Sequence, residues 1–446
     1  MWHSKLAKLC GLAYISPMKE LIEFLSFEDA NVRYVVFGSM LLAASSAVVG
    51  SFSFLRKKSL AGDAVAHAVL PGVCLAFMIT GTKNPFALII GAFLTGWLSL
   101  VSIDFITSKT KIKEDTAIGL VLSVFFGIGI LLLTAIQHAG NAEQSGLESF
   151  LFGKAAALVG EDLLVFIALS IVLLVTVLVF FKELTLIAFD ENFAKVIGFP
   201  VRGLELLLTT LTVLAVVVGI QAVGVVLMAA MLITPAAAAR FWTDRLGVMI
   251  TIAAFLGAFA ALVGAFISYL YENMPTGPCI VLVLSLLAIA SFLFAPQKGI
   301  AAKMLKQRRH QKQFLQENIL KTLYHLGEQK SRFLDYYTID EIQQKRYFPA
   351  KALENGLQQL VRQGYLKRQK ATWCFTPEGF EKGKRVTKLH RLWEVYLTEY
   401  LRIAPDHVHD DAETMEHIIT PELEATLEQR LQFPLNDPHN TKIPYE

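Results

Sequence analysis

Nine long apolar runs constrain the fold of this chain more than any other feature of its sequence. They cover residues 34–55, 62–80, 86–106, 115–137, 163–182, 204–219, 221–239, 247–270 and 278–295. A helix needs about 20 apolar residues to cross the hydrocarbon core of a bilayer, and most of these runs approach that length. Because 54% of the 446 residues are also hydrophobic, the sequence predicts an all-α polytopic membrane region.

The two central runs are short and meet in the glycine-containing segment 219–224. Glycine-interrupted helices are tolerated in membranes where they line protein or a water-filled cavity. These two runs therefore form either two spans or one broken helix, and the sequence predicts eight or nine transmembrane helices.

Basic loops orient the chain. Lysines and arginines cluster at 56–58, 109–113, 240–245 and from 298 onward. Positively charged loops are typical of the cytoplasmic side, so nine spans place the N-terminus outside and the whole tail in the cytoplasm. We expect a multi-pass protein of the bacterial inner membrane. The N-terminal segment 1–33 lacks the pattern of a cleaved signal peptide.

The tail divides by charge into two blocks. Residues 298–391 carry 21 lysines and arginines against 8 acidic residues, whereas residues 394–446 carry 3 against 12. Residues 296–313 read as a basic linker that contacts anionic lipid. Helical periodicity near 314–327, 338–344 and 349–362, followed by a hairpin at 365–376, predicts a winged-helix domain over 314–376. Helices near 377–400, 406–418 and 421–431 predict a second helical domain over 377–446.

A carboxylate and an imidazole lie one turn apart in the second apolar run. Asp63 and His67 share a helical face in AGDAVAHAVLPG. Ionisable side chains in a lipid-immersed helix are costly unless they serve a pathway or a binding site, and this donor pair suits Mn²⁺, Fe²⁺ or Zn²⁺. The alternative is that Asp63 caps the helix and His67 is a packing residue.

Five blocks of the membrane region occur in order over residues 34–295. They are AGDAVAHAVLPG, KIKEDTAIGLVLS, FDENFAKVIGFPV, GVVLMAAMLITPAAAAR and PTGPCIVL. With these blocks the chain resembles the ABC-type permeases that import manganese, zinc or iron together with an extracytoplasmic metal-binding protein. The resemblance implies a permease that pairs with an identical or homologous subunit, with Asp63 and His67 on the ion route.

The same resemblance implies a coupling helix that docks on a cytosolic ATPase subunit. It falls on the segment 190–198, with Asp190, Glu191, Phe193, Ala194 and Gly198 as its matching residues. The sequence contains no GxxxxGK[ST] phosphate-binding loop, so we expect the chain to be no enzyme itself and to depend on that partner.

Five basic residues lie on the last helix and the hairpin of the predicted winged-helix domain. They are Lys351, Arg362, Lys367, Arg368 and Lys370. A helix followed by a basic hairpin can lie in the major groove of operator DNA with its wing against phosphates. The same charges could equally contact anionic membrane lipid, and composition alone does not choose between the two.

Six residues of metal-ligand type fall on two consecutive predicted helices of the second tail domain. They are His390, Glu394, His409, Glu413, Glu416 and His417. Their spacing places each group on one helical face, although a helix rich in glutamate and histidine can also be a solvated surface.

This part of the tail resembles the DtxR family of iron- and manganese-dependent repressors. The resemblance is carried by LHRLWEVYL, VHDDAETMEHIITPELEATLEQRL and NTKIP. It implies a sensor for Fe²⁺ or Mn²⁺ with two neighbouring sites, one formed by His390, Glu394 and His409 and the other by Glu413, Glu416 and His417. Glu413 is the residue typical of manganese-type members.

Two positions of the first tail helix depart from that family. A ligand position falls on Asn318, and the manganese-type glutamate falls on Lys321. An amide oxygen is a weak ligand and a lysine repels a cation, so the metal affinity of this site is lowered. In its architecture the chain resembles a permease–repressor fusion, which implies transport of Fe²⁺ or Mn²⁺, with Zn²⁺ next. The alternative is a tail that regulates transport without binding DNA.

Overall fold

All nine apolar runs form helices in a computed structural model of the protein, which describes residues 17–58, 60–82, 85–138, 160–271, 274–402 and 419–445. The chain divides into two compact units, Met1–Ala302 and Lys303–Glu446. The helices of the first unit are α1 (Pro17–Ser26), α2 (Ala30–Leu55), α3 (Ala61–Thr80), α4 (Pro85–Lys109), α5 (Glu114–His138), α6 (Gly160–Val179), α7 (Phe181–Phe189), α8 (Glu191–Val196), α9 (Val201–Val223), α10 (Val225–Arg240), α11 (Leu246–Leu270) and α12 (Thr276–Phe294).

The prediction of an all-α membrane region is confirmed, with seven or eight candidate spans against the predicted eight or nine. Within the described ranges, seven helices are long and apolar enough to cross a bilayer, and α6 with α7 counts as an eighth if this pair, bent by 69°, is one span. Helix α10 is the ninth apolar run. Its 16 residues rise only about 24 Å, somewhat less than the thickness of the hydrocarbon core.

The central pair, α9 and α10, is a helical hairpin rather than one broken helix. The chain reverses at Gly224, whose φ of 91° lies in the region that favours glycine. Thr212 of α9 and Ala239 of α10 both pack toward the last turns of α2, so α10 returns to the end from which α9 starts.

Close helix packing in this unit depends on glycine. A Cβ atom on Gly72 of α3 would lie 2.0 Å from the carbonyl oxygen of Gly91 on α4, so the two backbones touch where neither residue carries a side chain. Membrane helices associate through such small-residue contacts because lipid offers them no hydrophobic driving force.

The basic loops of the first unit gather at one end. Lys58 pairs with Asp104 near the end of α4 at 3.0 Å. Lys298 and Arg240 both pair with Asp244, beside the start of α11. Leu55 and Leu246 join one apolar cluster, which brings the ends of α2 and α10 together with the start of α11. The clustering agrees with the sequence-based assignment of these loops to a single side.

The second unit begins with a helix that is longer than the sequence predicts. Helix α13 spans Ile300–Lys330, so residues 300–313, read as a linker, are helical. They contain strong helix formers without an apolar stripe, and for that reason periodicity missed them. The remaining elements are β1 (Tyr337–Thr338), α14 (Ile339–Lys345), α15 (Ala350–Arg362), β2 (Leu366–Gln369), β3 (Thr372–Phe375), α16 (Pro377–Tyr400) and α17 (Pro421–Arg430).

The hairpin of the second unit is part of a three-stranded antiparallel sheet in the order β1-β3-β2. Arg368 of β2 pairs with Trp373 of β3, and Trp373 pairs in turn with Tyr337 of β1, a strand that the sequence analysis missed. The sheet and helices α13 to α15 share one apolar core. A second small core joins α16, α17 and the C-terminal segment around Leu392, Leu427 and Ile443.

Candidate functional site

Asp63 and His67 lie in the first two turns of α3, on the same face as the sequence predicts. His67 Nε2 is 3.6 Å from Asp63 Oδ1, and both side chains are partly accessible, His67 at 24% and Asp63 at 44%. The helix start lies just after the basic segment 56–58. The pair therefore sits toward the end of the membrane unit where the basic loops gather, and its two donors can meet one cation.

The imidazole of His67 has an aromatic neighbour but no hydrogen bond to fix its second nitrogen among the described residues. Its ring packs edge-on against Phe126 of α5, with centroids 5.3 Å apart. Among the residues that the structure describes, the buried Nδ1 has no hydrogen-bond partner. Histidines that hold a resident metal almost always donate their second ring nitrogen to a neighbour, so the arrangement is better suited to a passing cation than to a permanent cofactor.

The predicted coupling segment forms a distinct short helix, α8. Asp190 caps it by accepting a hydrogen bond from the Phe193 amide at 2.9 Å. Ala194 is fully buried, whereas Phe193 is 54% exposed, and Gly198 ends the segment with a φ of 91°. A capped helix anchored by one small residue, with an exposed aromatic ring, has the form of a docking element.

Arg56 connects this helix to the spans, a role that sequence reasoning missed. Its guanidinium is 3.2 Å from Glu191 Oε2 on α8 and also bonds Glu205 on α9. Only 7% of the arginine side chain is exposed. In the sequence Arg56 is merely one residue of a basic loop, and its partner Glu191 lies 135 positions away, so no spacing signal identifies the contact.

In the second unit, His390 and Glu394 form a buried pair on α16. His390 Nε2 lies 3.1 Å from Glu394 Oε1, and each side chain is 3% exposed. Four further predicted ligands, His409, Glu413, Glu416 and His417, lie outside the described residues. Over the ranges that are described, no three histidine, cysteine or acidic side chains lie close enough to hold a metal.

Lys321 of α13 lies on the other side of the histidine ring. Its side-chain nitrogen, in a residue that is 3% exposed, lies 3.4 Å from His390 Nδ1. Because an ammonium only donates, this contact is compatible with the tautomer in which Nδ1 accepts and the ring hydrogen is on Nε2, the nitrogen nearer Glu394. A divalent cation would take the place of that hydrogen between imidazole and carboxylate.

Asn318 of α13 carries a further oxygen of metal-ligand type. Its Oδ1 is buried and without a hydrogen-bond partner in the described part of the chain. An uncompensated buried oxygen is costly, and a cation would satisfy it. His390 and Glu394 therefore offer a divalent metal part of a ligand set, whereas the Lys321 charge opposes one.

A second network, unforeseen from sequence, surrounds the buried Arg391 next to His390. Its guanidinium forms a two-pronged contact with Glu328 of α13, at 3.1 and 2.7 Å, and reaches Asp437 in the C-terminal segment. Burial opposes the charge of Glu328, but hydrogen bonds from His325 and Arg391 and their charges prevail and lower its pKa to about 2. Burial also lowers the pKa of His325.

The five basic residues predicted for DNA binding are all solvent-exposed. Arg368 lies over the ring of Trp373 at 5.5 Å, and its Nε donates to the carbonyl of Lys370, so the tip of the hairpin presents an ordered cation. Lys351 and Arg362 occupy the first and last turns of α15.

Comparison with known proteins identifies the family of the chain. The model of the ABC 3 transport family matches residues 28–295, which is the membrane unit with its Asp63–His67 pair. The chain belongs to the ABC 3 transport family. The permease also matches the metal binding and dimerisation domain of iron dependent repressors over residues 376–445.

Individual relatives share one or both parts of this permease. It is 44% identical over 382 residues to the manganese transport system membrane protein MntC of Bacillus subtilis, covering 85% of this chain and 87% of that one. A probable metal transport system membrane protein of Chlamydia trachomatis is 26% identical over 439 residues, 94% of this chain and 97% of that one. The solved PsaBC structure from Streptococcus pneumoniae in complex with Fab matches with 34% identity and a TM-score of 0.57, over 65% of this chain and 99% of that one.

Proposed function

We propose that this chain is the permease subunit of an ATP-driven importer that carries a divalent metal inward across the bacterial inner membrane. The observation that carries the proposal is the Asp63–His67 pair, a carboxylate oxygen and an imidazole nitrogen 3.6 Å apart in a membrane helix of an ABC 3 transport protein. These donors suit Mn²⁺ or Fe²⁺, and next Zn²⁺. Relatives named for manganese and for zinc transport support these two metals.

The pair acts as a transient binding site for the transported ion. An ion that enters between the helices loses hydration water, and the carboxylate of Asp63 offsets part of that cost. His67 adds selectivity for transition metals over Mg²⁺ and Ca²⁺, which prefer all-oxygen sites. Because no described residue hydrogen-bonds His67 Nδ1 and fixes the ring, the ion is released rather than trapped.

Other subunits complete the transporter. The exposed Phe193 on α8 offers a contact for a cytosolic ATPase subunit, and the family membership supports that assignment. A metal-binding protein delivers the ion from outside, and a second permease subunit, identical or homologous, completes the pore. The chain itself catalyses no reaction.

The tail lies in the cytoplasm and senses metal through His390 and Glu394, with Asn318 and the predicted ligands His409 to His417 completing the sites. Loaded with Fe²⁺ or Mn²⁺, it binds operator DNA through Lys351, Arg362, Lys367, Arg368 and Lys370. The exposure of these five cations around a helix and a hairpin supports DNA over a purely structural surface.

A second function for the tail is regulation of transport. Sensor and permease are one polypeptide and occur in a fixed one-to-one ratio, which suits direct feedback. Metal at the sensor would then slow the ATPase cycle, and the basic surface would contact anionic lipid instead of DNA.

Reconstitution tests the importer. The chain, its ATPase and its binding protein in proteoliposomes should accumulate ⁵⁴Mn²⁺ only with ATP, and unlabelled Fe²⁺ should compete. A wild-type complex that hydrolyses ATP without accumulating any of the three metals would refute the assignment.

Two measurements separate the functions of the tail. Fragment 298–446 should bind DNA from upstream of its own operon only when Fe²⁺ or Mn²⁺ is present. If it binds this DNA without metal, or does not bind it at all, the repressor function is contradicted. Deleting residues 303–446 should leave uptake uninhibited by internal metal if the tail regulates transport, and persistent feedback contradicts that alternative.

A further inference from the structure

Helix α8 has few attachments to the rest of the membrane unit. It is six residues long, and only Ala194 is buried among them. Within the described residues it is also connected to the spans through Glu191, whose carboxylate contacts Arg56 at the end of α2. When α8 moves, the movement is therefore transmitted by the Glu191–Arg56 contact as much as by the packing of Ala194.

Arg56 joins three elements at one point. It follows the last residue of α2, bonds Glu191 of α8 and bonds Glu205 in the second turn of α9. One turn earlier, Ser53 and Thr212 join α2 and α9 again, with their hydroxyl oxygens 3.3 Å apart. The guanidinium is therefore the place where α8, α2 and α9 meet.

The same arginine also lies close along the chain to the ion-binding pair. Helix α3 begins at Ala61, five positions after Arg56, and carries Asp63 in its first turn. The intervening Lys58 is tied to Asp104 of α4. A displacement of Arg56 thus acts on a short, doubly tethered segment that leads into the ion site.

The charges of this cluster favour a persistent contact. A hydrogen bond from Lys195 lowers the pKa of Glu191, and the charge of Arg56 adds to the effect, so the carboxylate is ionised at neutral pH. Removing the arginine leaves Glu191 and Glu205 facing each other without their shared cation, which costs more than the pair itself contributes.

We infer that Arg56 is a positioning residue that couples movement of the docking helix α8 to the spans α2 and α9 and to the start of α3. The inference rests on the proposed importer function, since α8 moves only if an ATPase docks there. Glu191 and Glu205 are its two partners in this role. Loss of Arg56 uncouples ATP hydrolysis from metal movement rather than abolishing either binding event.

The full complex in proteoliposomes tests this, with ⁵⁴Mn²⁺ uptake and phosphate release measured in the same sample. Arg56→Gln should lower the metal moved per ATP about tenfold while hydrolysis changes little, which is the scale of a typical coupling energy. The conservative variant Arg56→Lys should restore most of the ratio, because it keeps one cation facing both Glu191 and Glu205. Lys57→Gln, which removes an exposed neighbouring cation, is the matched control and should behave as wild type.

The outcomes separate the inference from the proposed function. An unchanged ratio in Arg56→Gln overturns the inference, as does a parallel loss of uptake and hydrolysis that is equally large in Arg56→Lys, because that pattern marks a purely structural residue. A wild-type complex that moves no metal contradicts the proposed function instead.

Discussion

His390 and Glu394 form an imidazole–carboxylate pair on α16 with Nε2 and Oε1 3.1 Å apart, shielded from water and arranged with Lys321 on the opposite side of the ring. Two unlike donors in a dry site bind a divalent cation better than either donor alone. The buried pair is the part of the proposed sensor that lies within the described residues.

Replacing either member of this pair should weaken metal binding. We expect His390→Ala and Glu394→Ala to raise the Kd of the full-length chain for Mn²⁺ by about tenfold or more, the range typical of losses in a metal site. Calorimetric titration under anaerobic conditions measures this. His310→Gln changes an exposed histidine of α13 and is the control. Unchanged Mn²⁺ affinity in both alanine variants would show that the pair does not belong to the sensor.

Lys321 should limit the affinity of the same site. Replacing it with glutamate exchanges a repelling ammonium for a further oxygen donor, so Lys321→Glu should lower the Kd for Mn²⁺ about tenfold or more. Lys321→Met removes the charge without adding a ligand and should fall between the two. If Lys321→Glu binds Mn²⁺ no more tightly than wild type, the lysine does not face the site.

The Glu328–Arg391 contact should make the second unit sensitive to acid. The folded-state pKa of Glu328, about 2, lies below its ordinary 4.5, so the contact contributes stability that is complete above pH 4.5 and is lost as the pH falls toward 2. Glu328→Gln should cost about 1–2 kcal/mol at pH 7, after allowance for partial exposure and for the remaining Asp437 partner.

Denaturant unfolding of fragment 303–446 at several pH values measures this effect. The wild-type and Glu328→Gln fragments should converge in stability near pH 2. A constant difference between them from pH 7 to pH 2 would contradict the assigned ion pair.

The Gly72–Gly91 approach should not accept even one methyl group. A Cβ at Gly72 would lie 2.0 Å from a backbone oxygen, which no rotamer change relieves, so Gly72→Ala should force α3 and α4 apart and sharply lower the yield of monodisperse protein. Gly119→Ala, where a Cβ meets no atom within 4 Å, is the control. Equal yields of the two variants would show that the helices do not touch here.

Local sequence patterns predicted the features that depend on short separations. The Asp63–His67 and His390–Glu394 pairs are four residues apart, and helical geometry alone brings each together. The spans followed from the length of the apolar runs. The polar residues 300–313 were misread because a solvent-exposed helix carries no apolar stripe, although its helix-forming residues were visible in the sequence.

Contacts between distant segments could not be predicted in this way. Arg56 and Glu191, or Arg391 and Glu328, are joined by packing that depends on the whole unit, and neither pair has a spacing signature. The return of the chain at Gly224 was likewise open, because a glycine in an apolar run permits a kink and a reversal equally. The hypothesis of a complete sensor site stays a prediction, since His409 to His417 lie outside the described residues.

The central claim is that divalent metal crosses this permease by way of Asp63 and His67. Its most direct test is ATP-dependent ⁵⁴Mn²⁺ uptake into proteoliposomes holding equal amounts of the wild-type, Asp63→Ala or His67→Ala chain with its ATPase and binding protein. The account predicts that both variants insert and assemble normally but lose uptake almost entirely. Wild-type rates of metal accumulation in either variant would contradict it.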